Sequence, residues 1–273
     1  MKELGTRVIS GAIYITLLIA SIYWQNALMM VLFAFGLVCM IEFNNLIQLK
    51  SYIPFIIFTV LYLGFGYWPI LLNNSSGFRE ALQILHVITI FVQLLLIKDL
   101  FSEKTIPLFA TKRFIITTFY LSSAFVFLNY IANFNNNYTP WLLLGAFILV
   151  WVNDTFAYLI GKNFGKQKLF PRISPKKTVE GFLGGLFFSC VASYFIANFT
   201  ELLDPTSWLI LGIIISVFGT LGDLIESKFK RQANVKDSGV IMPGHGGLLD
   251  RLDSIIFAAP FVYLFLRITI YVS

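Results

Sequence analysis

Charge is what this sequence has least of. Only 12% of its 273 residues are Asp, Glu, Lys or Arg, against about 25% in an ordinary soluble domain. So few charges exclude a soluble fold of normal surface. The 58% share of hydrophobic residues, with 29 Phe among them, points to an integral membrane protein. Histidine and cysteine are scarce as well, with two of each. Cys39 and Cys190 fall inside apolar runs, which leaves no disulfide framework and no metal-ligand spacing. Both are expected to pack as small apolar groups. His86 stands alone in mid-run and is expected to be a hydrogen-bonded core residue. Internal repeats and low-complexity linkers are absent.

What is present in quantity is apolar sequence. A helix needs roughly 20 mostly apolar residues to cross the hydrocarbon core. Nine segments meet or approach that length: 8–24, 27–41, 53–72, 81–97, 114–132, 141–161, 181–199, 207–225 and 252–272. The first follows Lys2 and Arg7, as a signal peptide would. It is long and runs into "WQNA" rather than a small-x-small cleavage site, so it is expected to be a retained span. The sequence thus predicts an all-α, polytopic membrane bundle. Residues 1–140 form about five N-terminal spans, and residues 141–273 about four spans with the cytoplasmic loops that carry the chemistry.

Basic residues set the orientation. If the N-terminus is cytoplasmic, eighteen of the twenty Lys and Arg lie in cytoplasmic segments, and only Arg79 and Arg267 lie outside. The positive-inside rule therefore predicts an N-in, C-out chain of nine spans in the cell membrane. The Gly181-xxx-Gly185 pair is expected to let two helices pack closely.

An acidic side chain in mid-span costs ~3 kcal/mol or more on insertion, so each one asks for a reason. Asp154 lies inside "LVWVNDTFAYLIG". Asp223 and Glu226 are expected to close the eighth span, Asp250 and Asp253 to open the ninth, Glu180 to open the seventh and Glu42 to end the second. All fall toward the cytoplasmic side under the N-in orientation. Residues three apart share a helical face, so the pairs Asp223/Glu226 and Asp250/Asp253 can converge if the last two spans are neighbours. Asp250 or Asp253 alone could simply cap a helix. Asp223 has no such explanation, because acids are unfavourable near a helix C-terminus. Carboxylates from different helix ends, with Asp154 as a third source, suit a hard divalent cation such as magnesium.

Cations crowd beside the acids: Lys162, Lys166, Lys168, Arg172, Lys176, Lys177, Lys228, Lys230, Arg231 and Lys236. Orientation and attraction to anionic lipid account for some of them. They do not account for the interleaved Ser174, Pro175, Thr178 and Pro243, or for the turn His245-Gly246-Gly247. Glycines let backbone N–H groups approach an anion. Carboxylates for a metal, together with cations and glycines for phosphates, are the two halves of a phosphoryl or nucleotidyl transfer site. "GKNFGK" lacks the spacing of a P-loop.

The run "SKFKRQANVKDSGVIMPGHGGLLDRLD", 227–253, resembles the signature of the phosphatidate cytidylyltransferases, also called CDP-diacylglycerol synthases. The match takes in Ser227, Lys230-Arg231, Lys236-Asp237, Gly239, Pro243, His245-Gly246-Gly247, Asp250-Arg251 and Asp253. "PRISPKKTVEGFLGG" and "NDTFAYLIGKNFGK" resemble other recurrent stretches of that family. Over 1–140 the likeness is only in hydropathy. Met242, Val179 and Phe156 depart from the usual residues without removing a carboxylate or a cation.

The resemblance implies a reaction of CTP with phosphatidate that yields CDP-diacylglycerol and pyrophosphate and depends on Mg2+. Asp223 and Asp250 are expected to ligate the metal. Glu226 and Asp154 are the candidates for a second cation or an outer shell. Lys176, Lys177, Lys230, Arg231, Lys236 and Arg251 are expected to meet phosphates, with Ser174 and His245 as neutral donors and Gly246 and Gly247 at the substrate. Asp253 would orient Arg251 or complete the metal shell. The expected partners are CTP, phosphatidate and the surrounding bilayer, with no nucleic acid; a monomer and a homodimer are both compatible with the sequence. A related CTP-dependent transferase or kinase with another lipid acceptor is the nearer alternative. A cation-coupled transporter is the more distant one, since it calls for acids near the midplane and for repeat symmetry.

Overall fold

The computed structural model describes residues 2–67, 78–244 and 246–272. Among them, nine apolar helices follow one another: α1 Lys2–Ser21, α2 Gln25–Leu46, α3 Ile53–Tyr67, α4 Phe78–Phe101, α5 Ala110–Ala132, α6 Pro140–Phe164, α7 Val179–Thr200, α8 Pro205–Gln232 and α9 Leu249–Val272. Each coincides with one of the nine expected segments. The protein is an all-α polytopic membrane protein. Seven of the helices are long and apolar enough to cross a bilayer, whereas α3 and the apolar part of α1, Ser10–Ser21, are shorter. The end of the third expected segment, 68–72, lies outside the described residues.

Local chemistry starts the helices that carry the site. Thr178 caps α7 by accepting a hydrogen bond from Gly181 N at 3.0 Å. Asp204 caps α8 by accepting from Ser207 N at 3.0 Å, with Pro205 at the first helical position. Both are side-chain acceptors for N–H groups that the first turn leaves free. The segment between α6 and α7 adds an element not expected of it, an antiparallel hairpin of β1 Lys168–Phe170 and β2 Ser174–Thr178.

Three boundaries correct the sequence reading. The first two helices part at residues 22–24 rather than at Gln25-Asn26. Helix α2 runs past Glu42 to Leu46, so Glu42 lies within the helix and does not end it. Helix α8 continues to Gln232, so Asp223 and Glu226 sit well inside it instead of closing it. The acids do not stop the helix because cations answer them, Lys177 from β2 and Lys230 one turn on.

Helices α6, α7, α8 and α9 pack in sequence order, and α9 packs in turn on α5. The α6–α7 contact is close, as the glycine pair predicts. A Cβ on Gly185 would stand 2.7 Å from the Asn153 carbonyl oxygen and 2.8 Å from Asn153 Oδ1, and the backbone carbonyl cannot retreat without parting the helices beside Asp154. Gly185→Ala is expected to lower stability by about 1–3 kcal/mol, and an unchanged unfolding midpoint in detergent would show that the two helices separate freely. Deeper in the bundle, the expectation for His86 holds. Its ring lies by Phe127 and Tyr263, and Nε2 donates to the Pro260 carbonyl at 2.8 Å. Cys39 is buried, Cys190 half-buried, and both are free thiols.

Candidate active site

Three helices and the hairpin bring the acids together. Helix α8 carries Asp223, Glu226 and Lys230, α9 carries Asp250 and Asp253, α6 carries Asp154, and β2 delivers Lys177. Two lysines link the set. Lys177 Nζ lies 2.5 Å from Asp223 Oδ2. Lys230 Nζ lies 2.6 Å from both Glu226 Oε2 and Asp250 Oδ1. The spacing argument therefore holds: the pairs on α8 and α9 meet, and Lys230 is the point at which they do so.

Each carboxylate has a distinct environment. Asp250 is the most fully hydrogen-bonded. Its Oδ2 accepts from Ser238 N at 2.9 Å, Ser238 Oγ at 2.9 Å and Gly247 N at 2.8 Å. Asp223 Oδ1 accepts from Ser227 Oγ at 3.2 Å. Glu226 is fully buried, and its Oε1 has no hydrogen-bond partner. Asp253 is buried as well, accepts from Ser254 N at 2.6 Å, and lies within electrostatic reach of Asp223, Glu226 and Asp154. Asp154 remains accessible, within electrostatic reach of Asp223, Lys177 and Arg251.

Lys177 shows which effect wins between burial and pairing. Burial alone would lower the affinity of its ammonium for the proton. The charge and hydrogen bond of Asp223 outweigh that, with Asp154 and Asp253 adding to it, and the group is held above its ordinary range. A raised value keeps the charge, and the stability it contributes, at every pH below the ordinary lysine value; both are lost only as pH climbs through the raised one. Lys177 is thus a fixed cation under physiological conditions.

The other expected residues divide by access. Lys176, Lys236 and Arg251 are exposed, and Ser174 is half-exposed on β2. Arg231 is exposed but folds its guanidinium onto the backbone, donating to the carbonyls of Ile173 at 3.3 Å and Val235 at 3.2 Å. Lys230, expected at a phosphate, is occupied by two carboxylates. Lys228 turns away to the end of α4, where it donates to the carbonyls of Asp99 and Ser102. Gly246 adopts φ +86°, a left-handed conformation that favours glycine, and a Cβ there would crowd Asp250 Oδ2. His245 lies outside the described residues.

Sequence reasoning passed over two participants. Ser238, whose backbone and hydroxyl both reach Asp250, carries no signal of its own within a polar loop. Glu42 was visible as an acid in an apolar run, but not its partners, Ser238 and the backbone of Leu248 and Leu249.

A model described as the cytidylyltransferase family matches residues 5–269. The chain belongs to that family. The match includes the N-terminal helices, which the motifs quoted from the sequence do not reach. Among relatives, the phosphatidate cytidylyltransferase of Bacillus subtilis (strain 168) is 36% identical over 273 residues, covering 98% of this chain and 99% of that protein. The phosphatidate cytidylyltransferase of Staphylococcus aureus (strain COL) is 52% identical over 126 residues, or 45% of this chain and 48% of that protein. The one from Staphylococcus haemolyticus (strain JCSC1435) is 51% identical over the same length. In these staphylococcal matches the chain spans about half the length of the relative.

Within this member of the family, the charge pattern states what the site can do chemically. Two lysines neutralise part of a five-carboxylate cluster, and exposed cations stand around it. Such a site sets carboxylate oxygens and cationic groups next to each other. Among the described residues, no group of three or more His, Cys, Asp and Glu is placed to hold a metal ion by itself. Magnesium does not require one, since it usually takes one or two carboxylates and completes its shell with water and substrate phosphates.

Proposed function

We propose that the protein is a membrane nucleotidyltransferase that makes CDP-diacylglycerol and pyrophosphate from CTP and phosphatidate. The observation that carries this reading is the convergence of Asp154, Asp223, Glu226 and Asp250 from three helices, bridged by Lys177 and Lys230. The family membership and the names of the relatives agree with it.

Both substrates are polyanions, so neutralising charge is most of the catalytic problem. A phosphate oxygen of phosphatidate attacks the α-phosphorus of CTP. The new P–O–P bond forms as the bond to the β-phosphate breaks, and pyrophosphate leaves with that electron pair. The nucleophile is already ionised, so no strong general base is needed. The all-oxygen donor set, the accessible Asp154 and the unpartnered Glu226 Oε1 fit magnesium. Asp223 and Asp250 would hold it, and Glu226 and Asp154 would serve a second cation or orient the first. When bound, it neutralises charge on the triphosphate and the leaving pyrophosphate.

The chain's own residues supply the rest. Lys177 and Lys230 pair with Asp223 and Asp250 and aim them. Lys176, Lys236 and Arg251, all exposed, would meet phosphates, with Ser174 as a neutral donor. The eighteen basic residues on one side support an N-in chain in the cytoplasmic membrane with the site facing the cytoplasm. CTP then arrives from solution, and the lipid phosphate from the membrane surface.

The test is transfer of label from α-labelled CTP into a chloroform-soluble product by purified protein with phosphatidate and magnesium. Label should enter the lipid phase and fall to background with EDTA. No transfer to phosphatidate, but transfer to another lipid acceptor, would change the substrate; no transfer to any acceptor would overturn the reading.

A further inference from the structure

Glu42 is a carboxylate almost wholly buried inside a membrane protein, 2% exposed. A buried charge is tolerated only when it is well hydrogen-bonded or paired. Its donors come from the far end of the chain. Leu248 N reaches Oε1 at 3.1 Å, and Leu249 N and Ser238 Oγ reach Oε2 at 2.8 Å and 3.3 Å. Leu249 opens α9, and the first N–H groups of a helix have no acceptor within it. Glu42 therefore caps α9 with a side chain more than 200 residues away in sequence.

The slot is shaped for this carboxylate. A Cβ on Gly239 would stand 2.5 Å from Glu42 Oε1, and one on Gly247 would stand 2.6 Å from Oε2. These two glycines are explained by the approach of Glu42, without any substrate phosphate. The start of α9, which would otherwise attract an anion, is already filled by one. Ser238 joins the two carboxylates: its hydroxyl lies between Glu42 and Asp250, while its N–H and that of Gly247 both go to Asp250.

We infer that Glu42 is a positioning residue that clamps the start of α9, and through Ser238 and residues 247–249 holds Asp250 and Arg251 in register. It ties the N-terminal helices to the site, so the first half of the chain is part of the catalytic unit. The kinetic side of this inference rests on the nucleotidyl-transfer reading above; the clamp itself does not.

The experiment compares wild type, Glu42→Gln and Glu42→Ala in lipid nanodiscs, by amide hydrogen exchange and by steady-state kinetics with CTP and phosphatidate. Losing the cap should speed exchange at 248 and 249 by about tenfold or more in Glu42→Ala, as local opening without global unfolding does, with α6 and α7 unchanged. A small misplacement of Asp250 should lower kcat by about 10²-fold, leaving KM for CTP within about twofold. Glu42→Gln keeps the shape and one acceptor oxygen and should fall between; if Glu42→Ala does not fold, this variant decides. Unchanged exchange at 248 and 249, or exchange rising equally along the whole chain, would overturn the clamp. A raised KM with kcat unchanged would make Glu42 a substrate contact and overturn it as well. If wild type transfers no nucleotide at all, the function reading fails, and the clamp is judged by the exchange result alone.

Discussion

An Asp250→Asn protein should insert and fold yet lose turnover by about 10²–10³-fold or more, the range seen when a preorganised charged or polar group is removed from a reaction centre. Four donors converge on the Asp250 carboxylate: Lys230 Nζ, Ser238 N, Ser238 Oγ and Gly247 N. An asparagine offers one acceptor oxygen and one NH2 group. Whichever way the amide turns, a donor faces a donor, either toward Lys230 or toward the Ser238–Gly247 turn. The charge that a metal would need is lost as well. The fold should survive, because α9 is anchored by the buried run from Leu252 to Val262, which the substitution does not touch. Label transfer should vanish while the size-exclusion profile in detergent stays that of wild type. Activity restored by raised magnesium would place Asp250 outside the metal's immediate ligands.

Lys230→Met is expected to damage the fold as well as the reaction. Lys230 is the shared counter-ion of Glu226, which is fully buried, and of Asp250. Removing one partner of a buried ion pair costs about 3–5 kcal/mol, because the other charge is left uncompensated. The loss should appear as a lower unfolding midpoint in detergent, together with loss of label transfer. In the double variant Glu226→Gln/Lys230→Met the more deeply buried charge is gone too. It should regain part of the stability but none of the turnover, and the non-additivity measures the coupling. A single variant as stable as wild type would mean that Lys230 is not the counter-ion, and would return it to the phosphate-binding role that its sequence position suggests.

The contrast between these residues marks where the sequence stops being legible. Lys228 and Lys230 stand two apart in one basic stretch and look alike there. In the structure one ties down the end of α4 and the other joins two carboxylates. Lys177 is one of several lysines in a loop until the β1–β2 hairpin delivers it to Asp223. The expected end of the eighth span at 225 falls short of Gln232 for the same reason. A window of sequence registers Asp223 and Glu226 as helix-ending charges, and cannot register the cations that cancel them.

By itself the sequence determined the class of the protein and the material of its site. Scarce charge and nine apolar runs require a membrane helical bundle, because the bilayer admits only segments that satisfy their own backbone. Acids in such runs require a reason, because each is costly there. Periodicity placed Asp223 with Glu226 and Asp250 with Asp253 on common faces, since helical spacing is a local property. Tertiary structure alone decided which charges neutralise one another, which cations stay exposed, and that Glu42 caps a helix more than 200 residues further on. Those outcomes depend on distances of 2.5–3.3 Å between separate elements, and no local pattern of residues encodes a distance between parts of the chain that meet only after folding.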